Sequence, residues 1–199
     1  MKQDNPDRLT AIAEMNWEQL ETAVVQCKAC PLYKTRNRPV FGVGNRQADL
    51  LIIGEAPGAS EDAQGEPFVG RAGKLLNSML QAIDLTRADI YIANVLKSRP
   101  PNNRDPSPEE VAACTPFLQR QIILLQPKLI LAVGRIAAHY LLGSNDTMGN
   151  LRGREFKYSM GNIPLMVTYH PAYLLRAPRE KRKAWEDLQR VVKLLRYSS

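Results

Sequence analysis

The sequence predicts a protein of the α/β class, with a mainly parallel sheet of four strands covered by helices on both faces. Four short, largely apolar runs mark the strands, at residues 48–54, 89–95, 128–134 and 163–169. Segments with helical spacing separate these runs, and this alternation is typical of a parallel sheet with two buried faces. The chain has 199 residues, of which 44% are hydrophobic, so it is long enough to bury a sizeable core.

The other elements follow in order along the chain. Helical spacing is found at residues 17–26, 71–83, 108–125, 135–143 and 179–196. Ser107, Pro108 and Glu110 supply an N-cap, a first-turn proline and a capping box, so they define the start of the third of these helices. The stretch "REFKYS" at residues 154–159 is a candidate for an additional short hairpin strand.

We expect one domain over residues 1–199, because the length suits a single domain and no linker or internal repeat interrupts the chain. Residues 1–16 are expected to form a flexible N-terminal arm. This stretch has no apolar signal core, and no segment approaches the ~20 apolar residues of a membrane span. The sequence therefore predicts a cytoplasmic monomer with no membrane partner.

The net charge of +7 favours an anionic partner. Much of the excess lies between residues 176 and 199, where eight basic residues stand against three acidic ones. The alternative is a solvated helix face on which charged side chains pair at i,i+4 spacing.

The loop after the first strand, "GEAPGASEDAQGEPFVGRAG" at residues 54–73, is rich in glycine and acidic residues. It lacks the G-x-x-x-x-G-K-[ST] pattern of a phosphate-binding loop, so a nucleotide-hydrolysing enzyme is disfavoured. Small residues leave backbone groups accessible, and Phe68 offers a flat face for stacking. These features suit a pocket for a neutral base. The small residues and the carboxylates of this loop are Gly54, Ala56, Pro57, Gly58, Glu55, Glu61 and Asp62.

Two polar side chains follow other strands of the predicted sheet. Asn94 ends the second strand, and its amide can both donate and accept, as the edge of a base requires. His170 comes directly after the fourth strand. Ligands bind at the carboxyl ends of such strands, so these side chains and Glu55 are expected on one rim. A turn role for Asn94 and a structural role for His170 are the alternatives, and we interpret His139, inside a helix, as structural.

Cys27, Cys30 and Cys114 are the three cysteines of the chain. A cytosolic protein does not keep structural disulfides, and the C-x-x-C pair lies outside any βαβ unit. A metal or cluster site is therefore favoured over a redox pair, although three cysteines are one short of an iron–sulfur set.

Several stretches together resemble the bacterial and archaeal uracil-DNA glycosylases of the fourth family, which carry a 4Fe–4S cluster. The resemblance runs from about residue 20 to residue 195 and implies a three-layer α/β/α fold in which uracil is flipped out of DNA into a pocket. The stretches are "CKACPLY", "VFGVGN", "GEAPGASEDAQGEPFVGRAGKLL", "YIANVLKSRPPNNRDPSPEEVAAC", "PKLILAVG" and "HPAYLL".

The resemblance implies a role for each site residue. Phe68 would stack on uracil, Asn94 would read N3–H and O4, and His170 would donate to O2 as the base leaves. Backbone groups near Ala56 and Gly58 would bind another edge of the base. The carboxylate that steadies the sugar cation and positions water would be Glu55, with Glu61 as the alternative.

One position departs from the family pattern. Where four cysteines are expected, this chain has Ser98 in "KSRPP" beside Cys27, Cys30 and Cys114. Three possibilities stay open: Ser98 ligates iron through oxygen, three cysteines hold a labile cluster, or the substitution is engineered or has removed the cluster. Any cluster is expected to be structural. The expected phosphate contacts are Arg99, Arg104, Arg176 and Arg179.

The leading hypothesis is thus a monofunctional uracil-DNA glycosylase of base-excision repair, acting on uracil in single- or double-stranded DNA. Covalent capture of DNA is disfavoured, because no histidine lies between Asn94 and Cys114. The rival is a catalytically impaired nucleic-acid-binding protein of glycosylase descent. A zinc-stabilised nucleotide-processing enzyme fits the cysteines but not the missing phosphate loop.

Overall fold

The computed structural model describes residues 6–197 of the chain. Within them a six-stranded sheet runs in the order β1-β3-β2-β4-β6-β5. The four middle strands are parallel, and the two edge strands β1 and β5 are antiparallel to their neighbours. The strands are β1 Val43–Gly44, β2 Leu50–Gly54, β3 Tyr91–Asn94, β4 Leu129–Val133, β5 Glu155–Tyr158 and β6 Ile163–Thr168.

Helices connect the strands and flank them at both ends of the described chain. They are α1 Pro6–Glu14, α2 Trp17–Gln26, α3 Ala59–Gln64, α4 Arg71–Gln81, α5 Pro108–Leu125, α6 Arg135–Leu142, α7 Met148–Leu151, α8 Pro171–Arg176 and α9 Lys181–Tyr197. Short 3-10 turns lie at Pro31–Lys34, Pro101–Asn103 and Pro178–Glu180. None of the helices between residues 6 and 197 has the length and apolar character needed to cross a membrane.

The predicted α/β class is confirmed, and the four predicted strands are the parallel strands of the sheet. The prediction of four strands in total is wrong, because β1 and β5 extend the sheet to six. The hairpin strand expected within residues 154–159 is β5. The other edge strand, β1, has only two residues in a glycine-rich stretch, too short to show a period of two.

Apolar cores lie on both faces of the sheet. Alternate residues of β2 point to opposite sides, so Leu51 and Ile53 join one core while Leu50 and Ile52 join the other. Side chains of α5 and α6 complete the first core, and side chains of α4 and α9 complete the second. Each apolar side chain that is fully buried contributes about 1.5–3 kcal/mol, so the central strands are firmly held.

The N-terminal segment is ordered where it is described. The prediction of a flexible arm over residues 1–16 is wrong for α1, which packs against α5. Ile12 is buried in a small core between α1, α2 and α5. Arg8 donates to the carbonyl oxygen of Ala113 at 2.8 Å and lies over the ring of Phe117. The part of the predicted arm at residues 1–5 lies outside the described residues.

Candidate active site

A pocket of about 240 Å³ opens at the carboxyl ends of the parallel strands. Every residue to which the family resemblance assigns a role in base binding or catalysis lines it, and Arg104 does so as well, whereas Gly54 and Asp62 do not. The loops after β2 and β3 and the start of α8 supply the walls. The lining residues are Glu55, Ala56, Pro57, Gly58, Glu61, Phe68, Ala72, Asn94, Pro100, Asn103, Arg104, His170 and Ala172.

Phe68 forms an aromatic wall of the pocket and is held in an unusual backbone conformation. Its φ is 54°, in the left-handed region that side chains other than glycine seldom adopt. Arg87 donates to the carbonyl oxygens of Pro67 and Phe68, at 2.8 and 3.2 Å. Gly73 is also required, because a Cβ there would lie 1.7 Å from the Phe68 carbonyl oxygen. The loop is therefore fixed from two sides.

Glu61 organises the acidic loop through its carboxylate. One oxygen accepts from the backbone N–H groups of Val69 and Gly70, each at 2.9 Å, and the other accepts from the N–H of Gly58 at 3.1 Å. These bonds clamp the start of α3 to the residues after Phe68. The carboxylate of Glu61 is thus engaged by the protein, and so is the N–H of Gly58, although both residues line the pocket.

Asn94 places an unsatisfied acceptor in the pocket. Its side chain is 2% exposed, and its Oδ1 atom has no hydrogen-bond partner. Gly54 makes room for it, because a Cβ at Gly54 would lie 2.5 Å from that oxygen. Behind it, the buried Lys97 donates to the Asn94 carbonyl oxygen at 2.9 Å and to Gln121 at 2.7 Å. A buried polar atom without a partner is costly, so this oxygen is suited to a ligand that brings a donor.

His170 is the N-cap of α8, and its contacts define its protonation. Its Nδ1 atom accepts a hydrogen bond from the backbone N–H of Ala172 at 3.1 Å. Burial, aided by Arg176, lowers the pKa of His170 to about 4, although Glu61 acts in the opposite direction. The ring is therefore neutral near pH 7, with its proton on Nε2. Its centre lies 5.5 Å from that of the Phe68 ring.

Glu55 has the most perturbed carboxyl group in the pocket. Burial raises its pKa to about 7, and Asp105 acts in the same direction, while Arg135 partly compensates. Asp105 and Arg135 form an ion pair of 2.9 Å at the edge of the site. A carboxyl group that titrates near neutral pH in a pocket is a candidate catalytic group.

The three cysteines come together beside the pocket, and not in it. Cys114 is buried in a cluster with Leu96, where Cys30 and Ala56 pack against it. Burial raises the pKa of the Cys114 thiol to about 11, and the charges of Cys30 and Cys27 contribute to this rise. Ala56 therefore both lines the pocket and packs against the cluster that contains Cys114 and Cys30.

The fourth position of the expected cluster site is already bonded. Ser98 is 2% exposed, and its Oγ accepts a hydrogen bond from Arg36 at 2.8 Å. Arg36 also donates to the carbonyl oxygen of Cys27 at 3.0 Å. Among residues 6–197, no group of three or more His, Cys, Asp and Glu side chains is arranged to hold a metal ion. These residues do not fit a cluster held by four cysteines.

The four candidate phosphate-binding arginines differ in their surroundings. Arg104 donates to both carboxylate oxygens of Glu110, at 2.9 and 2.6 Å, and so belongs to the start of α5. Arg99 donates to Asn103 at 2.7 Å. Arg176 and Arg179 are exposed near α8. His139 contacts the carbonyl oxygen of Asp146 at 2.8 Å, as its structural interpretation predicts.

Four residues that contribute to the site were not predicted from the sequence. Arg87 acts on a loop some 20 residues away, and Arg135, the first residue of α6, pairs near Glu55 with Asp105 in the loop before α5. Neither relationship follows from spacing in the chain. Lys97 gives only a weak signal in the sequence. A lysine next to the end of an apolar strand is either exposed or buried with a hydrogen-bond partner, and the sequence does not distinguish the two; here Lys97 is buried.

The pocket combines four chemical capacities in a small space. It has a stacking face at Phe68, an unpaired acceptor at Asn94, a neutral donor at His170 and a carboxyl group near its titration point at Glu55. Such a set can bind a flat, neutral ring and can stabilise negative charge that develops on it.

Comparison with known proteins places this site in a family context. Residues 41–189 match the sequence profile of the uracil DNA glycosylase superfamily. The type-4 uracil-DNA glycosylase of Archaeoglobus fulgidus is 42% identical over 177 residues, covering 86% of this chain and 89% of the relative. That of Sulfurisphaera tokodaii is 41% identical, covering 89% and 84%, and that of Thermotoga maritima is 41% identical, covering 87% and 91%.

Proposed function

Because the chain belongs to the uracil-DNA glycosylase superfamily, we propose that it is a uracil-DNA glycosylase of base-excision repair, as its type-4 relatives are named. It takes uracil out of the DNA base stack and hydrolyses the bond between N1 of the base and C1′ of the sugar. The products are free uracil and an abasic site. No covalent link between protein and DNA is part of this reaction.

The observation that carries this proposal is the unpartnered Oδ1 atom of Asn94. Uracil brings a donor at N3 to this acceptor, while its O4 accepts from the other end of the same amide. Cytosine has an acceptor at N3 and a donor at N4. In the same position it would place acceptor against acceptor and donor against donor at the Asn94 amide. Phe68 stacks on the flat face of the base. The pocket thus selects uracil against the base from which deamination produces it.

His170 stabilises the leaving group. As the bond from C1′ to N1 breaks, its electrons go to the base, and negative charge spreads over N1 and O2. The neutral imidazole of His170 donates a hydrogen bond from Nε2–H to O2. It stabilises the negative charge although it carries no positive charge itself. Ala172 holds the ring in this tautomer. Fixed donors at a developing oxyanion contribute about 10²–10³ in rate each.

Glu55 acts on the other product of bond breaking. The sugar becomes an oxocarbenium-like cation, which the ionised carboxylate of Glu55 stabilises by charge. The same carboxylate accepts a proton from a water molecule as the water oxygen attacks C1′. Glu61 is left as a positioning residue, because its carboxylate already accepts three backbone hydrogen bonds.

The iron–sulfur cluster that the family resemblance implies has no step in this mechanism. If a cluster is present, its thiolate ligands would be Cys27, Cys30 and Cys114, since Ser98 is bonded to Arg36. Its role would be to join α2 to the core next to Ala56. The proposed DNA contacts are the exposed Arg176 and Arg179, Arg104 in the pocket lining, and Arg99 in the loop after β3.

Strand cleavage tests the proposed function directly. A labelled oligonucleotide with one uracil is incubated with the protein and then heated in alkali, which cleaves DNA at abasic sites. We expect cleavage at the uracil position and none in an oligonucleotide with cytosine there. Binding without cleavage would support the rival interpretation as a catalytically impaired nucleic-acid-binding protein.

A further inference from the structure

A second pocket lies next to the base pocket and shares His170 with it. Its volume of about 410 Å³ is in the range of small-molecule sites. The base pocket is lined from β2 and β3, whereas this groove is lined from the residues after β4 and β6. The lining residues are Gly134, Arg135, Met148, Tyr169, His170, Tyr173 and Arg176.

Two tyrosine rings pack against each other in this groove. The rings of Tyr169 and Tyr173 lie 5.0 Å apart between centres at an angle of 40°. Tyr173 is 39% exposed, while Arg152 lies 5.7 Å from the centre of the Tyr169 ring. Tyr173 is thus supported by the neighbouring ring of Tyr169 and is partly open to the solvent. An exposed, supported ring of this kind is a stacking surface for a base.

Cationic side chains stand at the rim of the same groove. Arg135 and Arg176 both line it and are both exposed. Arg135 shares its charge with Asp105, but Arg176 has no ion pair among the described salt bridges of residues 6–197. A positive rim around aromatic rings is the arrangement by which proteins bind single strands of nucleic acid without reading their sequence.

We propose that this groove binds the nucleotide next to the target uracil in a single DNA strand, with its base on Tyr173 and its phosphate at Arg176. This inference rests on the proposed function, because it needs uracil in the neighbouring pocket. His170 separates the two pockets, so adjacent nucleotides of one strand can occupy both. A neighbour in a duplex is already stacked and paired, so it would have to give up those contacts first. The groove therefore favours uracil in single-stranded DNA.

The test combines a substitution in the groove with the removal of one base next to the uracil. Uracil release is measured under single-turnover conditions for the unchanged protein and for Tyr173→Ala. The substrates are single strands with a normal nucleotide on both sides of the uracil, or with a baseless tetrahydrofuran nucleotide on its 5′ or its 3′ side. We expect Tyr173→Ala to raise the half-saturating concentration of the normal strand about tenfold, as the loss of one stacked base predicts. With one of the two baseless strands, the half-saturating concentration for Tyr173→Ala should differ less than twofold from that for the unchanged protein.

Tyr33→Ala is the matched control, because Tyr33 is an exposed tyrosine that lines neither pocket. It should leave all three substrates unchanged. An equal loss for all strands in Tyr173→Ala, or no loss at all, would overturn the inference while uracil release by the unchanged protein continued. Failure of the unchanged protein to release uracil from any strand would instead overturn the proposed function.

Discussion

Arg87 donates a hydrogen bond to the carbonyl oxygen of Phe68, whose φ of 54° lies in the left-handed region. A second bond from Arg87 reaches the carbonyl oxygen of Pro67 at 2.8 Å. A backbone conformation of this kind costs about 1–3 kcal/mol and persists only where its surroundings enforce it. The aromatic wall of the pocket is therefore positioned by a side chain that does not line it.

Replacing this arginine should loosen the wall without removing it. We expect Arg87→Met to lower kcat/KM for uracil release about tenfold, chiefly by raising KM, because Phe68 is no longer held in its stacking position before the base binds. Steady-state kinetics on a uracil oligonucleotide measures both constants. Arg87→Lys, which keeps a charge and one donor, should recover part of the loss. Unchanged kinetics in Arg87→Met would mean that Gly73 and Glu61 hold the loop alone.

The proposed role of Glu55 predicts the direction of the pH dependence of uracil release. Burial raises its pKa to about 7, and the proposed mechanism uses the ionised form, so we expect activity to be lost as the pH falls through about 7. His170, with a pKa of about 4, stays neutral over this range. We expect single-turnover rates to rise roughly tenfold from pH 6 to pH 8. Glu55→Gln should be slow and nearly independent of pH, and a variant that kept the rise would assign it to another group.

The site at the carboxyl ends of the strands was predictable, because each apolar strand and the polar residue that follows it are adjacent in the sequence. Parallel strands bring their ends together, so the order of strands and polar residues along the chain is enough to assign Glu55, Asn94 and His170 to one rim. The unsatisfied Oδ1 of Asn94 and the raised pKa of Glu55 could not be predicted in this way. Both depend on how side chains distant in sequence exclude water.

Other features escaped prediction for physical reasons. The edge strand β1 is too short to show a pattern, and α1 gains its order from packing on α5 and not from its own sequence. The roles of Glu61 and Arg87 arise from hydrogen bonds across a loop, to which sequence spacing gives no guide. The cysteine pattern indicated one site, but the bond from Arg36 to Ser98 joins residues 62 positions apart, and no local pattern indicates it.

The variant Ser98→Cys tests whether position 98 belongs to a cluster site. Ser98→Cys restores a fourth thiol beside Cys27, Cys30 and Cys114, so we expect more iron and acid-labile sulfide per chain after anaerobic purification than in the unchanged protein. Uracil release should change less than twofold, because these residues do not line the pocket. Equal iron in both proteins would show that position 98 is not a ligand. One equivalent of zinc in place of iron would show that the cysteines form a zinc site and not a cluster site.

The salt dependence of DNA binding separates free arginines from paired ones. Arg176→Ala and Arg179→Ala should each reduce the slope of log affinity against log salt by about one, for uracil-containing and normal DNA alike. Arg104→Ala should change this slope less, because its guanidinium is paired with Glu110. Fluorescence anisotropy over a salt series measures the slopes. Equal slopes in all variants would favour a solvated basic face without phosphate contacts.

In the proposed function, the amide of Asn94 is the group that recognises uracil. Chromatography of the free base released from two single strands, identical except for uracil or cytosine at one position, tests its role most directly. We predict that the unchanged protein releases uracil and no cytosine, and that Asn94→Ala lowers uracil release about 10- to 100-fold, as the loss of one or two buried hydrogen bonds implies. Release of both bases at similar rates, or full uracil release by Asn94→Ala, would contradict this role.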